Sequence, residues 1–100
     1  MPESTTTVLQ TAQEVFNNLP PDPNQIALML QEQGLRGRRI SSHSCPISRY
    51  ARLQGLTDPG SCQDWTDARE GVVQHPPQVR EFIRRFDRGD YPQLAEVPGA

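Results

Sequence analysis

The chain has no lysine, few aromatic residues and little apolar sequence, and each shortage limits the kinds of fold and function that it can have. All ten basic residues are arginine. Only 34% of the residues are apolar, below the roughly 45–50% that is typical of globular domains when glycine is counted. The 100 residues therefore predict one domain with a thin core, and ten prolines and seven glycines predict that loops take much of its length.

Long apolar runs are also missing, so the sequence predicts no membrane span. Residues 1–5 lack the basic region and apolar run of a signal peptide. The two cysteines, Cys45 and Cys62, are too few for a secreted disulfide scaffold, although their spacing leaves a single disulfide open. We predict a cytoplasmic protein with reduced thiols.

A net charge of −2 and a pI near 5.6 argue against a protein that coats nucleic acid through bulk positive charge. The exclusive use of arginine has two explanations that do not exclude each other. One is the codon usage of a GC-rich genome. The other is selection for planar guanidinium groups, which bind carboxylate or phosphate through paired hydrogen bonds.

Apolar residues at helical spacing predict a first amphipathic helix within residues 5–19. Its apolar face consists of Val8, Ala12, Val15, Phe16 and Leu19. Because the rest of this helix is polar and two prolines follow it, we predict that residues 1–21 form a segment partly separate from the body. Such a helix would dock on the domain or on a second chain.

Three further helices have recognisable starts. Asp22 as N-cap, Pro23 as first residue and Gln25 as capping-box partner predict the second helix. Cys45 followed by Pro46 predicts the start of the third. The fourth begins near residue 77, and Gly89 ends it. Its apolar stripe comprises Val79, Phe82, Ile83 and Phe86, with Arg80, Arg84 and Arg88 opposite.

Residues 62–66 and 71–74 could form two short strands around a turn at 67–70. Their alternation is weak. The sequence thus predicts a small α+β fold with three to four short helices and one weak β-hairpin, or an all-α bundle if the hairpin does not form. We predict a single compact domain over residues 22–92 and a mobile tail over 93–100.

The arginines are the main candidate binding residues, because they could gather into a basic patch on an acidic protein. The candidate partner-binding residues are Arg36, Arg38, Arg39, Arg80, Arg84, Arg85 and Arg88, with Val8, Val15 and Phe16 of the first helix. The alternative is a solvated face with local ion pairs, such as Glu81 with Arg85.

Cys45 is a candidate reactive thiol, because the helix dipole and the nearby Arg49 would favour a thiolate at an N-cap. The alternative is a small buried residue that closes the helix start. The possible metal ligands, His43, Cys45, Cys62 and His75, lack the closely spaced pairs of a structural zinc site. We predict no metal, no cofactor and no catalytic residue.

These observations favour a small non-enzymatic protein-interaction module, such as an adaptor, accessory subunit or regulator. Its expected partner is another protein, a second copy of the chain included. The alternative is a nucleic-acid-binding protein that uses the arginine patch, and the third hypothesis is a thiol-based sensor or enzyme at Cys45.

Overall fold

The computed structural model describes residues 7–96, which form four helices and a three-stranded antiparallel sheet. This confirms the predicted small α+β fold. The elements in chain order are α1 (Val8–Asn17), α2 (Pro23–Glu32), α3 (Pro46–Leu53), β1 (Gly60–Ser61), β2 (Trp65–Ala68), β3 (Gly71–Gln74) and α4 (Pro77–Arg88), followed by a 3-10 turn at Pro92–Leu94.

The helices begin where the sequence predicts, for local chemical reasons. Thr7 and Gln10 form a capping box at the start of α1, with hydrogen bonds of 3.0 and 2.8 Å. Asp22 caps α2 by accepting the backbone N–H of Asn24 at 2.9 Å, rather than through a capping box with Gln25. At the other end of the domain, Gly89 takes a left-handed φ of 98° and ends α4.

The predicted hairpin is present, but its first strand lies further along the chain. β2 covers residues 65–68 rather than 62–66, and it pairs with β3 through Thr66 and Val73. β1 is an additional strand of two residues on the other side of β2. Thr66 and Val73 are fully buried, whereas Trp65 and Val72 are exposed. The sheet therefore has one face on the core and one face toward solvent.

A single core joins all four helices to the sheet, which corrects the predicted separation of the first helix. Ala12 and Phe16 of α1 are fully buried in the same cluster as Phe82 and Phe86 of α4. Removing α1 would uncover this core, so the described part of the 1–21 segment belongs to the body. Residues 1–6 lie outside the part of the chain that the structure describes.

The predicted mobile tail also needs correction over its first four residues. Leu94 is fully buried, and its carbonyl accepts the backbone N–H of Gly37 at 2.9 Å. Glu96 in turn donates its backbone N–H to Gly37 at 2.8 Å. Residues 93–96 are thus held against the loop that follows α2, and residues 97–100 lie outside the described range.

The length and hydropathy of the helices bear on membrane insertion. Between residues 7 and 96, no helix is both long enough and apolar enough to span a lipid bilayer.

Candidate functional site

An open groove of about 440 Å³ lies beside the solvent face of the sheet. We call it the Trp65 groove, because this indole forms one wall and is 44% exposed. Its lining residues are Ser42, His43, Asp58, Gly60, Ser61, Cys62, Trp65, Asp67, Ala68 and Arg69. The groove thus combines an exposed aromatic ring, two carboxylates, a guanidinium group, an imidazole and a thiol.

The alternation of side chains along β2 determines which of its residues face solvent and line the groove. Trp65 and Asp67 lie two residues apart on a strand whose intervening residue, Thr66, is buried, so both are on the solvent face. Gly60 of the neighbouring strand lies close to the imidazole of His43. A Cβ atom there would lie 3.2 Å from Nε2 of His43, so a larger residue would make the imidazole shift by a few tenths of an ångström.

A line of buried polar side chains runs behind the groove, and we call it the buried chain. Cys45 Sγ lies 3.5 Å from the hydroxyl of Ser48, which donates to the hydroxyl of Ser61 at 2.8 Å. Ser61 lies 2.8 Å from the hydroxyl of Thr66, which lies 2.7 Å from Nε2 of His75. The buried chain therefore connects α3, β1 and β2 to the short link between β3 and α4.

The imidazole of His75 at the end of the buried chain is only 1% exposed. Burial lowers its pKa from the usual 6.5 to about 4, because the charged form would lose its hydration. The hydrogen bond to the carbonyl of Gln63 and the charge of Asp64 raise the pKa, and Arg80 lowers it, but desolvation dominates. His75 is thus neutral at neutral pH, and it is an unusual buried titratable group.

Most candidate arginines of α4 are engaged in contacts within the protein. Arg84 and Arg85 both bind Glu81, at 2.6 and 2.8 Å. Their hydrogen bonds lower the pKa of Glu81 to about 2. Arg80 donates to the carbonyl of His75 at 2.7 Å, and Arg88 forms an ion pair with Asp90. This is the solvated face with local ion pairs that the sequence offered as the alternative.

The arginines of the loop after α2 divide between two places. Arg39 reaches the end of α4, where its Nε donates to the carbonyl of Asp87 at 3.1 Å. Arg38 lies 3.8 Å from Glu96, which also pairs with Arg49 at 2.8 Å. Arg36 also lies near Arg49, since its carbonyl accepts a hydrogen bond from the Arg49 side chain. Only Arg39 therefore approaches the arginines of α4.

The other candidate residues differ in their exposure. Val8 is 44% exposed, Val15 is half-buried and Phe16 is fully buried, so Phe16 is part of the core rather than a docking residue. Cys45 is only 4% exposed, which removes the access that a reactive thiol needs. Cys62 is the exposed thiol of the pair, and both cysteines are free.

The four possible metal ligands fall into two separate places. His43 and Cys62 line the Trp65 groove, whereas Cys45 and His75 lie at opposite ends of the buried chain. Over residues 7–96, no group of three or more histidine, cysteine or carboxylate side chains is close enough to hold a metal ion.

Comparison with known proteins adds no functional information. The chain matches no protein-family model, no curated protein and no solved structure. The candidate site therefore rests on geometry alone. Sequence reasoning missed the Trp65 groove, and the signal available to find it was a lone tryptophan at an outward position of a short strand.

Proposed function

We propose that the protein is a small non-enzymatic protein-interaction module, an adaptor, accessory subunit or regulator, that binds its partner at the Trp65 groove. The observation that carries this proposal is the exposure of Trp65, whose ring forms the groove wall with 44% of its surface open. Tryptophan is among the residues that contribute most to the binding energy of protein interfaces, because it buries a large rigid surface.

The charges around the groove favour a partner surface that carries basic side chains. Asp58 and Asp67 supply two carboxylates to the lining, and Arg69 supplies one positive charge. A partner arginine or lysine could lie against the indole while it pairs with a carboxylate. Val72, which is paired opposite Asp67 and is 43% exposed, extends the apolar part of the same sheet face.

The ion pairs of α4 support a protein partner over nucleic acid. A phosphate backbone would compete with Glu81 and Asp90 for the arginines that these carboxylates already bind. Binding of nucleic acid by these arginines would be recognised by a steep loss of affinity as the salt concentration rises.

We also propose that the protein is cytoplasmic, and its two free thiols support this compartment.

Affinity capture from the native cell extract with the tagged wild-type chain, Trp65→Ala and Leu28→Ala tests the proposal. Leu28 is a matched control, since it lies on α2 and is 46% exposed. We expect one near-stoichiometric protein that resists nuclease and is lost with Trp65→Ala but kept with Leu28→Ala. Equal capture by both variants would contradict the assignment of the groove.

Sedimentation of the purified chain separates a second copy from a foreign partner. If the partner is a second copy, the wild type sediments as a dimer and Trp65→Ala as a monomer. If nuclease removes the captured protein, and if capture is stronger at low salt, the nucleic-acid-binding hypothesis would replace the protein-interaction proposal.

A further inference from the structure

Three arginines surround the carboxylate of Glu96, and we call these four residues, Arg36, Arg38, Arg49 and Glu96, the Glu96 cluster. Arg49 of α3 holds the carboxylate through two hydrogen bonds of 2.8 and 3.2 Å, and Nε of Arg38 lies 3.8 Å from it. The hydrogen bonds from Arg49 lower the pKa of Glu96 below its usual value, and the charges of all three arginines act in the same direction. Within the cluster, three positive charges thus face one negative charge.

The backbone of the loop after α2 sets the direction of Arg36 and Arg38. Gly37, which lies between them, donates its N–H to the carbonyl of Leu94 at 2.9 Å and accepts that of Glu96 at 2.8 Å. These bonds form a parallel bridge, so the loop is extended at this point. Because residues on either side of an extended residue point to the same face, Arg36 and Arg38 lie together beside the carboxylate.

The charges of the cluster are less fully paired than those of α4. On α4, Arg84 and Arg85 both reach Glu81 at hydrogen-bond distance. By contrast, the side chains of Arg36 and Arg38 donate no hydrogen bond to any residue between 7 and 96, and that of Arg38 is 72% exposed. Within this range, the donors of these two guanidinium groups are therefore available to a further anion.

A cavity of about 310 Å³ adjoins the cluster at Arg36, which forms part of its wall. The wall also includes Gln31 near the end of α2 and Gln93 beside the 3-10 turn. Their side-chain amides can both donate to and accept from hydroxyl groups. The cavity thus suits a small hydroxylated group that lies next to the anion.

We propose that the Glu96 cluster binds the phosphate group of a small phosphate monoester, whose hydroxylated part occupies the adjoining cavity. A phosphate monoester carries about two negative charges at neutral pH, which match the surplus of two positive charges in the cluster. Guanidinium groups bind phosphate oxygens through paired hydrogen bonds. Without a ligand, Glu96 occupies part of the cluster, and a bound phosphate competes with it. The site shares no lining residue with the Trp65 groove.

Calorimetric titration of the full chain with glycerol 3-phosphate at low salt tests the site. We expect saturable binding that Arg38→Gln weakens about ten-fold, because hydrogen bonds to a charged group are lost. Arg84→Gln is the matched control, since it also removes one positive charge from a side chain that is 48% exposed, and it should leave the affinity unchanged. The absence of saturable binding, or equal weakening by both variants, would overturn the proposal.

The variant Glu96→Gln tests the competition between the carboxylate and the phosphate. Removal of one negative charge about 4 Å from the ligand should tighten binding about five-fold in water. Circular dichroism checks that the variant keeps its fold. Unchanged or weaker binding by the folded variant would contradict the competition.

Two further ligands test the class of phosphate and the use of the cavity. Dimethyl phosphate, which carries one charge, should bind about ten-fold more weakly than glycerol 3-phosphate, and equal binding would overturn the assignment of a monoester. Inorganic phosphate should also bind more weakly, because it leaves the cavity empty, and equal affinity would remove the cavity from the site. These titrations need no partner protein, so their failure would leave the proposal for the Trp65 groove unaffected.

Discussion

The side chain of Gln13 makes with Gln74 the two hydrogen bonds that a neighbouring strand would make. Its Nε2 atom donates to the carbonyl of Gln74 at 2.9 Å, and its Oε1 atom accepts the N–H of Gln74 at 2.8 Å. Gln74 ends β3, the outer strand of the sheet beside α1. A helix side chain thus covers an edge that would otherwise offer unpaired backbone groups.

Replacement of Gln13 by alanine is expected to lower the free energy of unfolding by about 1–2 kcal/mol, because both backbone groups of Gln74 lose their partner. Urea unfolding followed by circular dichroism measures the change. Gln31→Ala, at an exposed position of α2, is the control and should change stability by less than about 0.5 kcal/mol. Equal effects in the two variants would show that the amide pair contributes nothing.

Gly37 should be the glycine least tolerant of alanine. A Cβ atom there would lie 2.3 Å from the carbonyl oxygen of Ser44 and 2.5 Å from the nitrogen of Pro46, both backbone atoms. We expect Gly37→Ala to cost more than about 3 kcal/mol of stability. Gly34→Ala meets no atom within 4 Å but has a φ of 73°, so it should cost only about 1–2 kcal/mol. Thermal unfolding compares the two variants, and the reverse order would contradict this packing.

The two thiols should differ sharply in their reaction with iodoacetamide. Cys62 is exposed on the Trp65 groove, whereas Cys45 is 4% exposed and accepts the N–H of Ser48 as the N-cap of α3. Mass spectrometry of the native protein should therefore find one modified site, Cys62. Cys45 should react only after denaturant is added, and its rapid native modification would restore the hypothesis of a reactive thiol.

Phe16→Ala should destabilise the protein by about 3–5 kcal/mol, since the ring is fully buried against Tyr50 and His75. Val8→Ala, at an exposed position of the same helix, should cost less than about 1 kcal/mol. Chemical denaturation measures both. If Phe16→Ala proved as mild as Val8→Ala, α1 would not belong to the core, and a removable first helix would again be the better description.

The sequence predicts elements well where one or two residues determine the local backbone. The prolines after Asp22 and Cys45 start helices, because proline fixes φ and lacks a backbone donor. Gly89 ends a helix, because glycine adopts a positive φ without strain. The stripe of α4 repeats over 12 residues, so its buried face could be assigned with little ambiguity. These features need no knowledge of distant parts of the chain.

The groove and the buried chain depend on long-range pairing, which no local pattern records. Ser61, Thr66 and His75 come together only because β1 and β3 flank β2, and a strand of two residues has too few side chains to alternate. The arginines likewise divide according to how the loop after α2 runs beside residues 94–96. Spacing alone could therefore not show whether the arginines gather into one patch, and in the fold Arg38 and Arg39 lie against different partners.

Ser61 belongs both to the wall of the Trp65 groove and to the buried chain. Because its hydroxyl also bonds to Ser48 and Thr66, a partner that displaces β1 on binding would disturb side chains in the interior of the domain. The wall of the groove and the core behind it therefore share one strand of only two residues.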